Sequence, residues 1–419
     1  MMVQAAATEG VEVDAVRTEI ARGRAVVPAN PAHRTLRPVV VGRSFRTKVN
    51  ANLGCSTARS NLEEELSKLR VALEAGADFV MDLSVGCNLD EIRGAMLAAS
   101  PAPLGTVPLY EAMARVEGRS TDLSADLMIR VIREQAEQGV DFMTLHAGLL
   151  RQHVPLALKR VMGIVSRGGA ILAEWMSRTG FENPLYERWD EVLDICHAHD
   201  VTVSLGDGLR PGCLADGSDA AQFAELDALG ALVRRCRQRG VQVMVEGPGH
   251  VPFDQIRMNM EREQEVCDGA PFYVLGPIVT DIAPGYDHIT SAIGATSAAF
   301  YGASLLCYVT PAEHLCLPSE KDVRDGVMAH RIAAHAADVA RGLKGARSPD
   351  DCMARARADF DWERQFGLAM DGSTARRRFE EARGKGAEGD FCTMCGREFC
   401  ALRTMRRIRE RAASPPTSS

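Results

Sequence analysis

The chain has 419 residues, of which 25% are charged and 46% hydrophobic, and its net charge is −7. That length allows two or three domains, or one large α/β barrel with an appendage, and a chain this long buries enough surface to fold without disulfides. The acidic balance excludes a general nucleic-acid surface, and the lack of any eighteen-residue apolar run excludes an ordinary membrane span.

The opening MMVQAAATEG has no basic segment followed by an apolar core, so a cytoplasmic protein without a secretory signal is expected. Residues 1–40 then read as a short N-terminal segment. From 41 to 318, short β-branched or apolar runs recur about every 30 residues, each followed by a helix-like stretch. The predicted strands are TKVNAN (47–52), DFVMDLS (78–84), LGTVPLY (104–110), DFMTLHAG (141–148), GGAILAEW (168–175), VTVSLGDG (201–208), VQVMVEGPGH (241–250), FYVLGP (272–277) and LLCYVTP (305–311). Amphipathic helices are predicted between them, as at 62–76 and 221–240, with Asn61 as an N-cap and Gly76 and Gly240 as terminators.

Near-continuous apolar strands alternating with helices predict a parallel sheet covered on both faces. Eight such units over about 250 residues make a (β/α)8 TIM-like barrel. Nine candidates exceed that by one, so one is expected to be a false strand or an extra element. A doubly wound open sheet is the rival, but ANLGCST after the first strand is not a G-x-G-x-x-G turn. Polar and potentially reactive residues at nearly every strand's C-terminal end (Asn52, Met81, Tyr110, His146, Asp207, Glu246, His250) favour the barrel, whose active sites gather on that rim.

Residues 319–382 carry a 3.6-residue period and predict a helical region. Residues 383–419 are expected to hold a glycine-rich linker, RGKGAEGD (383–390), then a cysteine module and a disordered tail, AASPPTSS. Arginines between 403 and 411 read as a solvated helix face.

Of twelve cysteines, only Cys392, Cys395 and Cys400 cluster, at a C-x₂-C-x₄-C spacing. A closed structural zinc site needs four protein ligands, whereas three thiolates suit a [4Fe–4S] cluster with one iron open to an external ligand. Zinc and unliganded thiols remain the alternatives on spacing alone. His250 in EGPGHVP and His314 in TPAEHLCLP each follow a predicted strand; they read as hydrogen-bonded structural histidines or as two ligands of one open metal site. SRGGA (166–170) offers a hydroxyl, a guanidinium and accessible backbone amides, a grouping suited to phosphate, although it reads equally as a helix end turning into a strand. In GDGLRPG (206–212), Asp207 and Arg210 add a carboxylate and a cation. With Glu246 they serve either ribose hydroxyls and a phosphate or internal ion pairs.

Taken in order, RTKVNANLG, VMDLS, GTVPLYEA, LHAG, GIVSRGGA, SLGDGLRPG, EGPGHVP, TDIAPGYDHITSAIG, CYVTPAEHL, RIAAHAAD and the terminal cysteine motif resemble the phosphomethylpyrimidine synthase family of radical S-adenosylmethionine (SAM) enzymes, from about residue 27 to 404. The resemblance implies a (β/α)8 barrel with a C-terminal helical iron–sulfur module, and a homodimer in which one subunit's cluster covers its partner's site. It implies 5-aminoimidazole ribotide as substrate, rearranged to a thiamine pyrimidine phosphate by a carbon–carbon bond-cleaving radical SAM lyase. Substrate contacts then fall on Asn52, Met81, Tyr110, His146, Ser166, Arg167, Gly168, Asp207, Gly208, Leu209, Arg210, Glu246 and Tyr273. Zinc or another divalent metal falls on His250 and His314, and the [4Fe–4S] cluster on Cys392, Cys395 and Cys400, with SAM as the missing fourth ligand. A reduced flavodoxin or ferredoxin is the implied electron donor.

Three features depart from the family's pattern. A large N-terminal region of many members is reduced here to some 40 residues, and Cys55 and Cys87 stand just beyond predicted strands where the thiamine enzyme is not expected to have cysteine. They keep open a sister activity, 5-hydroxybenzimidazole synthase acting on the same ribotide. A zinc-dependent barrel hydrolase using His250 and His314 is the reading from another class.

Overall fold

The computed structural model describes residues 1–56, 61–86, 88–383, 391 and 393–413. They divide into two compact units, Met1–Leu343 and Lys344–Ser419. Among the described residues no helix is long and apolar enough to cross a membrane.

The first unit is a closed barrel of eight parallel strands: β1 (Lys48–Leu53), β2 (Phe79–Asp82), β3 (Leu104–Thr106), β4 (Phe142–Leu145), β5 (Thr202–Leu205), β6 (Val243–Gly247), β7 (Phe272–Leu275) and β8 (Leu305–Cys307). Each pairs with the next, and β8 closes on β1 through Leu305↔Lys48. Almost every strand residue is buried, because helices cover the outside and side chains fill the inside. Two glycines let neighbouring rings close up: a Cβ on Gly105 would stand 2.2 Å from the Phe142 ring, and one on Gly247 2.2 Å from that of Phe272. The helices start and stop where polar capping demands. In Leu62–Ala75, Asn61 accepts a hydrogen bond from the Glu63 amide at 3.0 Å, and Gly76 ends the helix at φ 94°.

Eight of the nine predicted strands contain barrel strands; GGAILAEW does not. It lies in the helix Arg167–Thr179, whose buried Leu172, Ala173, Trp175 and Met176 follow a helical spacing while Glu174 and Arg178 are exposed. Ser166 caps this helix, so SRGGA is a helix start and not a helix end turning into a strand.

The N-terminal segment stoppers the barrel's lower mouth. Helices Met2–Glu9 and Val13–Ala21 and the antiparallel pair Ala25–Val26 with Val41–Gly42 enclose a small core around Val16, Val27, Val40 and Phe45. Polar ties then run to residues that open or directly precede barrel strands. Glu9 pairs with the buried Lys48 at 2.9 Å, and Arg46 with Asp78. Asp141 accepts from the Asn30 amide at 2.9 Å and lies 2.7 Å from His33 Nδ1, and the Val27 amide donates to Gln242 at 2.7 Å.

The second unit contains helices Ser348–Ala358, Trp362–Leu368, Gly372–Arg383, Gly396–Phe399 and Ala401–Ala413. Trp362, Phe366 and Phe379 form its aromatic centre, with the Trp362 and Phe379 rings 4.2 Å apart. Residues 384–390 of the expected linker and 414–419 of the expected tail lie outside the described residues.

Candidate active site

A cavity of about 520 Å³ opens where the barrel strands end, and each of the eight strands or the segment directly after it contributes to the wall. Asn52, Met81, Tyr110, His146, Asp207, Glu246 and Tyr273 line it, together with Arg167 and Arg210. On its floor, Asn50 Nδ2 donates to Asn52 Oδ1 at 2.8 Å and to the Tyr273 hydroxyl at 2.7 Å. Asn52 Nδ2 reaches Cys307 Sγ at 3.0 Å, and the Tyr273 hydroxyl lies 3.5 Å from Met81 Sδ.

Two carboxyls face this floor. Glu246 Oε1 accepts from Thr144 Oγ1 at 2.6 Å and Ser204 Oγ at 3.3 Å. Asp207 Oδ1 accepts from Arg210 Nη1 at 3.2 Å, while its buried Oδ2 has no hydrogen-bond partner among the described residues. Burial pushes Asp207 up to about 8, with Arg210 opposing and Glu246 reinforcing the shift, and burial also raises Glu246. Burial, aided by the Arg210 charge, pushes His146 down to about 3, so its imidazole is neutral. The pocket therefore presents a neutral imidazole and two carboxyls of raised pKa beside the guanidiniums of Arg167 and Arg210.

The rim next to Arg210 includes the start of a helix. The Ser166 hydroxyl accepts from the Gly169 amide at 3.2 Å and lies 3.2 Å from His146 Nε2, which joins the start of a helix to the cavity floor. Only glycine fits behind it: a Cβ on Gly168 would meet His146 Cε1 at 2.4 Å, and one on Gly169 the Gly208 carbonyl oxygen at 2.2 Å. Arg167 opens the helix with its guanidinium 4.6 Å over the Tyr110 ring. A helix N-terminus flanked by two arginines attracts phosphate through backbone donors, the helix dipole and bidentate pairing. Ser166, Gly168, Gly208 and Leu209 do not line the cavity; they shape the turns beneath it.

Above lies a wider vestibule of about 1620 Å³, shared by Arg167 and Arg210 and bordered by Cys55, His250 and His314. The two imidazole rings stand 5.3 Å apart. His250 Nδ1 lies 2.8 Å from Asp281 Oδ1, and His314 Nδ1 3.7 Å from Asp287 Oδ1. Burial lowers the His250 pKa and favours the neutral ring that a metal requires. A carboxylate behind an imidazole is the usual outer support of a metal-bound histidine, so this pair fits an open two-histidine site. Among the described residues no group of three or more His, Cys, Asp or Glu is arranged to hold a metal.

Of the terminal cysteines, Cys392 lies outside the described residues, as does Cys87. Cys395 and Cys400 flank the single turn Gly396–Phe399 and neither is in a disulfide, so both thiols remain available as ligands.

Reading the motifs overlooked Asn50, Thr144 and Ser204 inside the barrel, and Glu225 and Arg160 behind it. The first two were findable, since Asn50 and Thr144 stand two places before Asn52 and His146 and so share their inward face. Glu225 and Arg160 carry no such signal.

A parallel barrel whose C-terminal rim gathers two arginines and buried titratable groups has the architecture of a (β/α)8 enzyme for a small molecule. Residues 1–407 match the model of the Radical SAM ThiC family. A phosphomethylpyrimidine synthase of Natronomonas pharaonis is 59% identical over 98% of this chain and 86% of its own length. One from Haloarcula marismortui is 57% identical over 96% of this chain and 84% of its own. The chain belongs to the Radical SAM ThiC family. Among solved structures, a dihydropteroate synthase from Coxiella burnetii in complex with pteroic acid aligns at TM-score 0.43 and 14% identity, covering 71% of this chain and 95% of that one.

Proposed function

We propose that this chain is a radical SAM enzyme that rearranges 5-aminoimidazole ribotide to 4-amino-5-hydroxymethyl-2-methylpyrimidine phosphate for thiamine synthesis. The observation that carries this reading is one cavity lined both by two guanidiniums, Arg167 and Arg210, and by a floor of hydrogen-bonding side chains, which suit the two ends of a phosphorylated ribosyl imidazole. Relatives 57–59% identical that bear the pyrimidine synthase name favour this product over the benzimidazole and over a zinc hydrolase.

In this reading Arg167 and Arg210 hold the phosphate, with the helix start at Ser166 behind them. Asp207 and Glu246 meet the ribose hydroxyls, and Asn52, Tyr273 and neutral His146 orient the imidazole without adding charge. Tyr110 and Met81 supply apolar walls, and the depth of the pocket excludes water. Cys392, Cys395 and Cys400 would hold a [4Fe–4S] cluster, which together with SAM would supply one-electron chemistry for this carbon–carbon bond-cleaving, lyase-type rearrangement. His250 and His314 hold a divalent metal, with zinc the first choice on ligand type. Exposed Ile282, Tyr286, Ile289, Ile293 and Phe300, along and just before the helix Asp287–Tyr301, support a homodimer. A reduced flavodoxin or ferredoxin is the proposed donor.

The test is anaerobic reconstitution with iron and sulfide, followed by incubation with the ribotide, SAM and a reductant. A phosphorylated pyrimidine in the mass spectrum supports the reading, and a phosphate-free benzimidazole replaces it with the sister activity. Cys400→Ala should reduce 5′-deoxyadenosine formation to background; persistent formation counts against the cluster ligand.

A further inference from the structure

We infer that Glu225 and Arg160, which do not line the substrate cavity or the vestibule, are positioning residues that clamp the turn bearing Asp207 and Arg210. This rests on the substrate reading above. Glu225, 2% exposed, projects from the helix Ala220–Gln238 and accepts from the Leu209 amide through Oε2 at 2.6 Å. Arg160 grips the same turn by its carbonyls, donating from Nη2 to the Leu209 oxygen at 2.7 Å and from Nη1 to that of Arg210 at 3.5 Å.

The two halves of the clamp share an anchor. Arg160 Nε and Nη2 donate to Asp219 at 2.8 and 2.7 Å, and Asp219 is the N-cap of the helix that carries Glu225, accepting from the Gln222 amide at 2.9 Å. One helix therefore fixes the carboxylate directly and the guanidinium through its cap. On the far side the turn has no slack. The Gly208 carbonyl oxygen lies where a Gly169 Cβ would be, and a Cβ on Gly208 would come within 3.0 Å of Glu225 Oε1. Asp207 and Arg210 sit on either side of the clamped Gly208–Leu209 backbone, so their separation from the helix start at Ser166 is set by groups outside the lining of the substrate cavity. Removing the acceptor from a buried backbone donor forfeits about tenfold or more in whatever depends on that geometry.

Hydrogen exchange of residues 206–212 in the full chain reads the clamp itself, and calorimetric binding of 5-aminoimidazole ribotide reads its consequence. Glu225→Ala should speed exchange at the Leu209 amide and weaken ribotide binding, each by about tenfold or more. Glu225→Gln keeps a carbonyl acceptor and should stay within about threefold of the parent on both counts. If Glu225→Ala does not fold, Arg160→Lys serves, because one ammonium cannot hold Asp219 and the turn together; it should loosen the same amide and weaken the same binding. Unchanged exchange and affinity in a folded Glu225→Ala, or in Arg160→Lys, overturn the clamp. A parent protein that ignores the ribotide defeats the substrate reading instead, while exchange at Leu209 still decides the clamp.

Discussion

His250 Nδ1 lies 2.8 Å from Asp281 Oδ1, which leaves Nε2 as the free nitrogen of that ring, with the His314 ring 5.3 Å away. The carboxylate fixes the tautomer and strengthens the donor that faces the vestibule. Asp281→Ala should lower metal affinity by about 10- to 100-fold, measured by competition with a chelator. Undiminished retention would exclude this pair as the metal site.

Asp207 titrates at about 8 in the fold against an ordinary value of 3.8. Between those values the folded state holds a proton that the unfolded state releases, so stability falls as pH rises through that window and then levels off. Asp207→Asn removes this penalty. Its melting temperature should match the parent's below pH 4 and exceed it by several degrees at about pH 8, as scanning calorimetry would record. Equal melting temperatures at both ends would mean that the carboxyl is ionised at neutral pH.

Arg210, like Arg167, faces both cavities, and it also donates to the Asp207 carboxyl. Arg210→Met should weaken ribotide binding by about 10- to 100-fold, the range of one or two charge-assisted hydrogen bonds. A dephosphorylated riboside should lose far less. An equal loss for both ligands would move the phosphate elsewhere.

At the opposite mouth, Asp141 is fully buried and meets the Asn30 amide, the His33 ring and the Leu104 amide, the last at 2.8 Å. Asp141→Ala leaves these groups unpaired and should cost about 3–5 kcal/mol in urea unfolding. The fraction that remains folded should keep its kcat. A kcat loss that parallels the stability loss would show that the two mouths are coupled.

The alternation of apolar runs with amphipathic helices made the barrel legible, because a doubly covered strand needs an apolar residue at nearly every place. GGAILAEW misled for the same reason. Its first eight residues look like such a strand, and only continuation through Met176 to Gly180 exposes the helical period. Rim residues such as His146, Asp207 and Glu246 were legible because each closes an apolar run with a polar group. Glu225 and Arg160 were not, since one lies within an amphipathic helix and the other in a basic patch, and only folding brings both to one turn.

The stoppered lower mouth has a further meaning for how such a protein changes over time. Contacts that secure the first forty-odd residues to Lys48, Asp78, Asp141 and Gln242 are spatially separate from those that grip a ligand. Replacements on the upper rim therefore start from a scaffold whose integrity they do not underwrite, which leaves selectivity free to drift while the barrel stays shut.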